Sequence, residues 1–552
     1  MPTRRAPQIR RTAAALVALL AAALVPFGPA PRAQALPGSI DPGQLGRELR
    51  QLPAPRVQPE LPRTAPVVPR AVEATGAAFR VDGVRIQGNT VFDSEALRPD
   101  YAALLGQDVH LADLERAADR MTIRYRAAGY VLSQVIVPEQ TLTDGTIRFQ
   151  VFEGHIDSAV YEGEHVPDIV RDYVQKIIAS KPLTNRVLER YLLLINDIPG
   201  VTAHAALAPS PTTAGAAQLT LVISTQRAGG DVGIDNRLTR SLGDARAIAS
   251  GQLSNALLAQ EQLSARVIEG LTNRVSIGSL DWEQAWGSEG VRTSVVFGAV
   301  HTRPDLSLAQ TSSSRSLDVT ASWAAVRSRN RNLYLRATWS GLNSSARLSD
   351  GATPLFDDHV RALRLGIAAD LADELGGVNL VDLETSQGLS HGDEALPSRA
   401  GANPHFQKLS VFASRLQPIT PRWSFLVAAQ GQASHSPLYS SEQFATGGDV
   451  FLRAFDPAEL IADRGWAAKF ELRLGLGDDA LVYAFFDHAD IHNATSAQAI
   501  VGGSKASSAG LGARAAYRAF SAYVECGQPL QRDVAAEGNR NARFFGGLRY
   551  VF

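Results

Sequence analysis

Leu333-Tyr334-Leu335-Arg336-Ala337-Thr338-Trp339-Ser340 alternates without a break. Leu333, Leu335, Ala337 and Trp339 share one face of an extended strand, and Tyr334, Arg336, Thr338 and Ser340 share the other. The pattern returns elsewhere in the C-terminal part of the chain. Leu363, Leu365 and Ile367 oppose Arg364, and Phe470, Leu472, Leu474 and Leu476 oppose Glu471 and Arg473. Period-two runs with one wholly apolar face and a charged opposite face fit lipid outside and water inside, the pattern of a transmembrane β-barrel. Such a barrel, like a helix, satisfies every backbone group within the membrane. The 324 residues from Gly229 to Phe552 carry this texture and no convincing helical spacing. At about 20 residues per strand and connection they predict an antiparallel barrel of about 16 strands.

Composition agrees. The 552 residues are 45% hydrophobic and 20% charged, yet after the first thirty-odd no stretch approaches the ~18–20 unbroken apolar residues that a membrane helix requires. With 54 basic against 55 acidic residues the chain lacks the basic surplus of a nucleic-acid binder. Its single cysteine, Cys526, excludes an internal disulfide and a thiolate zinc cluster.

Further signals sort a membrane barrel from a soluble one. All six tryptophans (Trp282, Trp286, Trp323, Trp339, Trp423 and Trp466) fall in this region, as aromatic girdles would require. Polar stretches such as Leu306 to Ser316 and Asn343 to Asp358 are expected to be surface loops. The chain ends Phe544-Phe545-Gly546-Gly547-Leu548-Arg549-Tyr550-Val551-Phe552. There Leu548, Tyr550 and Phe552 share a face, which resembles the assembly signal of bacterial outer-membrane barrels.

The N-terminus sets the compartment. Arg4, Arg5, Arg10 and Arg11 precede the apolar run Ala13 to Val25, and Ala33-Gln34-Ala35 follows as a small-x-small cleavage site. Residues 1–35 therefore read as a secretory signal peptide. Residues 36–78 carry prolines at 37, 42, 53, 55, 59, 62, 66 and 69 and read as an extended linker. Within it Asp41 to Leu52, with an Asp N-cap and Pro at the first helical position, predicts a short helix.

Between linker and barrel one order of elements occurs twice. Phe79 to Phe92 reads as a strand, Asp93 to Leu104 and Leu111 to Ala128 as helices, and Val131 to Val137 and Thr146 to Phe152 as strands. In the second helix Leu111, Leu114, Ala118, Met121 and Tyr125 make one apolar stripe. From Ile156 to Ser224 the order repeats, with strands around Ser158 to Tyr161, His204 to Leu207 and Gln218 to Ile223 and helices at Pro167 to Ala179 and Asn185 to Ile195. The pattern resembles the α+β polypeptide-transport-associated (POTRA) repeat. Val84-x-Ile86-x-Gly88-Asn89-Thr90-x-Phe92, Tyr125 to Val131, Phe152-Glu153-Gly154 and Ile198-Pro199-Gly200-Val201 carry the likeness. The repeats are placed at 79–154 and 155–225, ahead of a barrel at 229–552.

Signal, helix, two repeats and barrel together resemble the outer-membrane transporters of two-partner secretion, the haemolysin and filamentous-haemagglutinin secretion/activation family. In Gly447 to Trp466 (GGDVFLRAFDPAELIADRGW) the residues Leu452-Arg453-Ala454-Phe455 match the family's Val-Arg-Gly-Phe/Tyr motif, at the tip of a loop that folds back into the barrel. Ala454 replaces the usual glycine, which places the tip conformation in question because alanine takes positive φ less cheaply. The partner motif is Phe485-x-Asp487, in a strand that turns Leu481, Tyr483, Phe485 and Asp487 to the lumen. The resemblance implies that Arg453 and Asp487 pair and pin the loop. Ala489 stands where a second glycine is common.

The resemblance further implies a Gram-negative outer-membrane location with periplasmic repeats. The expected partner is a secreted exoprotein, adhesin- or haemolysin-like and unfolded during passage. Outer-membrane lipid surrounds the barrel, and barrel-assembly machinery and periplasmic chaperones act in biogenesis. No cofactor, metal, nucleic acid or enzyme chemistry is expected. Gly388-Leu389-Ser390-His391-Gly392 fits the hydrolase pattern G-x-S-x-G but precedes a proline-containing loop where that elbow must open a helix. His488, Asp490 and His492 have metal-ligand spacing on a strand but are read as solvated polar groups. A barrel-assembly factor and a ligand-binding barrel receptor are the alternative functions, the former ordinarily carrying more repeats.

Overall fold

The computed structural model describes residues 36–49, 54–56, 78–141, 144–163, 166–389, 396–495 and 503–552. The expected signal peptide, most of the expected linker and Ser390-His391-Gly392 lie outside the described residues. The chain divides into two compact units. One joins residues 1–57 to 227–325 and 330–552, and the other joins 58–226 to 326–329.

The first unit is a closed barrel of sixteen strands, each antiparallel to the next, from Ala228–Asp235 to Arg543–Val551. Outward positions are apolar and exposed, as at Leu363, Leu365 and Ile367, while Arg364 between them is buried inside. Of the six tryptophans, Trp286, Trp323, Trp339, Trp423 and Trp466 are exposed on the outer surface. Strands Gln310–Arg327, Arg331–Leu348 and Pro354–Ala372 run 18, 18 and 19 residues. About 9–11 residues cross a bilayer, so these strands continue well beyond it. This corrects the loop expectation for Gln310 to Ser316, Asn343 to Leu348 and Pro354 to Asp358, while residues 306–309 and 349–353 do connect strands. Outside the bilayer both strand faces are wet, so the apolar alternation disappears while the hydrogen-bond ladder continues.

Inside the barrel lies the N-terminal segment. Asp41 caps the helix Pro42–Leu45 by accepting from the Gln44 N–H at 2.9 Å, and a 3-10 turn at Gly46–Leu49 follows. Leu36, Ile40 and Leu45 pack on the inward residues Ile268, Ile277, Val300 and Phe356. The Ser314 hydroxyl donates to the Pro42 carbonyl at 2.9 Å.

In the second unit two three-stranded sheets share one topology. Gly83–Gln87 runs parallel to Thr146–Phe152, with Gln134–Ile136 antiparallel on the far edge. His155–Glu162 and Ala216–Thr225 form the second parallel pair, with Val201–Pro209 antiparallel beside them. Helix Leu111–Ala127 covers the first sheet through Leu114, Ala118, Met121 and Tyr125. Leu111 departs from the expected stripe and is exposed. It is the first helical residue, still one turn short of the sheet. Asp93 to Leu104 is a single α-turn, Ser94–Leu97, followed by two 3-10 turns, Arg98–Asp100 and Ala102–Leu104. Helices Asp168–Ile178 and Asn185–Asn196 cover the second sheet.

Candidate functional site

The connection between strands Trp423–Ser434 and Arg464–Gly475 turns into the barrel lumen. It carries its own two-stranded ribbon, Phe444–Thr446 with Leu460–Ala462. Phe451, Leu452, Ala454 and Phe455 at its tip are buried with Ala467, Ala489 and Ile491 of the barrel wall. An apolar tip in a polar lumen is stable only when it covers a small-residue patch of wall, which these alanines supply.

Arg453 is fully buried at the tip, and each guanidinium nitrogen has an acceptor. Nε donates to Asp487 Oδ2 at 3.0 Å and Nη2 to Asp487 Oδ1 at 2.8 Å, the bidentate geometry of a fork on a carboxylate. Nη1 donates to Glu471 Oε1 at 2.5 Å, and the Arg453 backbone N–H donates to Asp487 Oδ2 at 2.9 Å. The guanidinium carbon lies 3.9 Å from the centroid of the Phe485 ring, a cation–π contact made stronger by exclusion of water. Phe485 and Asp487 reach the same arginine because two residues along a strand return to one face. Arg473 donates to Glu471 Oε2 at 2.8 and 2.6 Å, so the second carboxylate is shared.

Ala454 does not take positive φ. The left-handed residue is its neighbour Leu452, at φ 54°. Smallness at 454 is instead a packing requirement, because a Cβ on Gly527 of the wall would lie 3.1 Å from the Ala454 Cβ. Ala489, the other departure, is buried beside the tip without strain.

Three acidic residues of the loop fasten it through further ion pairs. Glu442 is buried between Arg364, whose Nη2 lies 2.7 Å from Oε1, and Lys408, whose Nζ lies 2.6 Å from Oε2. Asp456 pairs with Arg543 at 2.6 Å, and Asp463 pairs with Arg399 while accepting from the Leu438 N–H at 2.9 Å. The N-terminal helix reads the same loop segment. Arg47 donates to the carbonyls of Gln443 and Ser441 at 2.7 Å each, and Ser440 Oγ donates to Asp41 Oδ2 at 2.9 Å. Gly43 permits this approach, since a Cβ there would stand 2.6 Å from that of Ser441.

In the second unit, Asn196 binds both backbone groups of Ala203 on the edge strand Val201–Pro209. The Ala203 N–H donates to Oδ1 at 2.9 Å, and Nδ2 donates to the carbonyl at 3.1 Å. Groups of alternate residues turn the same way in an antiparallel ladder. Ala205 and Leu207 thus present their N–H and C=O to the open edge. Between the first sheet and its helix, Glu153 accepts from the N–H groups of Thr90 and Val91 at 2.6 and 2.8 Å and from the Tyr125 hydroxyl at 2.8 Å. Burial alone would raise the Glu153 pKa. The Thr90 and Val91 hydrogen bonds, with that of Tyr125, outweigh it and hold the carboxyl below its ordinary range.

Leu548, Tyr550 and Phe552 are exposed on the outer face of the last strand and its terminus. The structure does not gather His488, Asp490 and His492 around one point. His488 packs against Trp466 and shares a 2.7 Å hydrogen bond with Ser507, while Asp490 faces His492 and Lys505. Sequence reasoning missed Glu471, Glu442, Arg364, Lys408, Arg237 and Arg543 as loop contacts. Glu442 lies on the loop itself, and each of the others is an inward charge on a barrel strand or beside one, a signal that marks the lumen without saying what it meets there.

Residues 79–154 match the ShlB-type POTRA domain, and residues 218–515 match the haemolysin secretion/activation protein ShlB/FhaC/HecB. The heme/hemopexin transporter protein HuxB of Haemophilus influenzae is 22% identical over 461 residues, 79% of this chain and 80% of its own length. The outer membrane transporter CdiB of Escherichia coli is 24% identical over 435 residues, 73% of this chain and 70% of its own. A solved structure of CdiB from Escherichia coli superposes with a TM-score of 0.71 at 20% identity, covering 90% of this chain and 94% of that one.

Proposed function

We propose, because the chain belongs to the haemolysin secretion/activation family ShlB/FhaC/HecB, that this outer-membrane transporter exports a dedicated exoprotein through its barrel without nucleotide. The exoprotein is adhesin- or haemolysin-like and arrives unfolded in the periplasm. The observation that carries the reading is a lumen occupied by two pieces of the chain itself, the N-terminal helix and the loop that bears Arg453, each held there by side-chain hydrogen bonds. A static ligand receptor has no use for a pore closed by hydrogen bonds to carbonyl groups, whereas a conduit for an extended chain needs a closure that can be withdrawn.

The remaining assignments follow from chemistry. Residues 79–225 form two docking repeats, and the edge strand Val201–Pro209 takes an extended segment of the exoprotein. Ala205 and Leu207 offer backbone hydrogen bonds there, which give affinity with little demand on sequence. The strand carries no Lys, Arg, Asp or Glu to discourage pairing. Leu452, Arg453, Ala454 and Phe455 form the pore-loop lock, with Phe485 and Asp487 as its receptor. Leu548, Tyr550 and Phe552 form the signal read by the barrel-assembly machinery, which receives the chain from periplasmic chaperones. Export is then driven by folding of the cargo outside the cell. The test is co-expression with the exoprotein encoded beside this gene, followed by measurement of that exoprotein in the medium. Deletion of residues 79–224 is expected to abolish its appearance, and secretion that persists without them would overturn docking on the repeats.

A further inference from the structure

The barrel closes where its first strand, Ala228–Asp235, meets its last, Arg543–Val551. Five residue pairs, from Asp231 with Val551 to Asp235 with Gly547, form this ladder, against eight between each of these strands and its other neighbour, and backbone hydrogen bonds extend it to Gly230 with Phe552 at one end and to Asn236 with Gly546 at the other. At the Asn236 end, where the last backbone bond runs from the Asn236 N–H to the Gly546 carbonyl at 3.3 Å, side chains take over from the ladder. Asn236 Nδ2 donates to the Phe544 carbonyl at 2.9 Å, and the Gly546 N–H donates to Asn236 Oδ1 at 2.8 Å. One residue further, the Arg237 guanidinium stacks 3.9 Å from the centroid of the Phe545 ring.

The loop tip meets the seam at this end. Arg237 Nη1 donates to the carbonyl of Arg453 at 3.0 Å, and Arg543 Nη1 donates to the carbonyl of Ala454 at 3.2 Å. Arg543 Nη2 also binds Asp456 at 2.6 Å, while Arg237 Nη2 binds Glu525 of the next strand inward at 2.9 Å. Consecutive carbonyls of the tip are thus held from opposite sides of the seam, one by the second residue after the first strand and one by the residue that opens the last.

From this geometry we infer that the loop tip is a staple across the barrel seam, with Arg237 and Arg543 as its two positioning residues. Loop withdrawal and loosening of the upper seam form one motion. Linkage makes the coupling reciprocal, so whatever frees the tip weakens the seam by the same factor, and whatever locks the seam holds the tip. The Arg453–Asp487 pair fixes the tip to the far wall, and the staple fixes it to the closure. Failure of the staple leaves the transport reading standing, because export does not require the two to move together.

Amide hydrogen exchange of the full chain in detergent micelles tests it. In Arg237→Ala and Arg543→Ala, exchange in Ala228–Asp235, Arg543–Val551 and residues 450–456 is expected to rise together by about tenfold or more. Strands Val275–Trp286 and Val291–Thr302 stay unchanged. Faster exchange in the seam with a protected loop, or in the loop with a protected seam, overturns the inference. A second arm keeps both arginines. Ile234 and Leu548 are opposed across the seam, at a Cα spacing of about 4.5–5.5 Å for such pairs, within disulfide reach. In a Cys526→Ser background, oxidising the pair Ile234→Cys and Leu548→Cys is expected to slow exchange of residues 450–456 relative to the reduced protein. Equal loop exchange in both redox states overturns the coupling even if the arginine variants fail to assemble.

Discussion

Arg453 meets Asp487 through three hydrogen bonds, from its backbone N–H, Nε and Nη2 at 2.9, 3.0 and 2.8 Å, in a site from which water is excluded. One carboxylate therefore fixes both the side chain and the backbone of the loop tip. Loss of the guanidinium leaves Asp487 and Glu471 buried beside each other without their shared cation.

Removal of one partner from such a buried pair costs about 3–5 kcal/mol. Arg453→Ala is thus expected to shift the loop away from its docked position by roughly two to three and a half orders of magnitude, at tenfold for each 1.4 kcal/mol. Limited proteolysis between residues 447 and 459 reads that shift, and exoprotein in the medium reads its consequence. Arg453→Lys is expected to recover only part of the loss, because an ammonium cannot form the fork on Asp487 while also reaching Glu471. Unchanged protection and unchanged secretion in Arg453→Ala would remove the loop from the mechanism.

The N-terminal helix is held by donors to backbone carbonyls, which substitution of the loop's side chains cannot remove. Arg47→Ala deletes both contacts to Ser441 and Gln443. Each hydrogen bond to a charged donor contributes about 1.5–3 kcal/mol, so the helix should leave the lumen far more often. Planar-bilayer recordings are expected to show more frequent and longer openings in Arg47→Ala than in the parent chain. Identical recordings would mean that the helix is not what closes the pore.

Glu153 makes a prediction with a definite sign. Its pKa in the folded repeat is depressed, so the stabilisation is present above the ordinary value for glutamate, about 4.3, and is lost as pH falls through the folded value. Amide exchange at Thr90 and Val91 should be protected at neutral pH and accelerate only below about pH 4. Glu153→Gln should lose protection at neutral pH and show little pH dependence across that interval. A parent chain that loses protection already near pH 6 would contradict the assignment.

The barrel was legible because lipid imposes a strict rule on every second residue, and Leu333 to Ser340 obeys it in eight positions. Beyond the bilayer the rule lapses, and the strands at Gln310 to Ser316 and Asn343 to Leu348 then resemble loops in sequence while they continue as ladders in space. Asp41, Pro42 and the turn they start were readable because capping is local. Glu442, Glu471, Arg237 and Arg543 were not, since a buried ion pair is fixed by side chains far apart in sequence and a lumen-facing charge has the same local pattern whether it meets water or a loop. Resemblance, and not periodicity, singled out Arg453 and Asp487.

The same distinction applies to Ala454. Motif comparison suggests that its glycine counterpart serves backbone conformation, yet positive φ occurs at Leu452 and the constraint on 454 is the wall at Gly527. Ala454→Gly is therefore expected to change loop protection by no more than the roughly 1 kcal/mol of added backbone freedom. Ala454→Leu adds three carbon atoms against a surface already in contact, and overpacking of that kind costs about 1–3 kcal/mol. It should raise proteolysis of the tip and lower secretion, although every ion pair of the loop keeps its partners. If Ala454→Gly proved the more disruptive of the two, backbone conformation at 454 and not space would be the governing requirement.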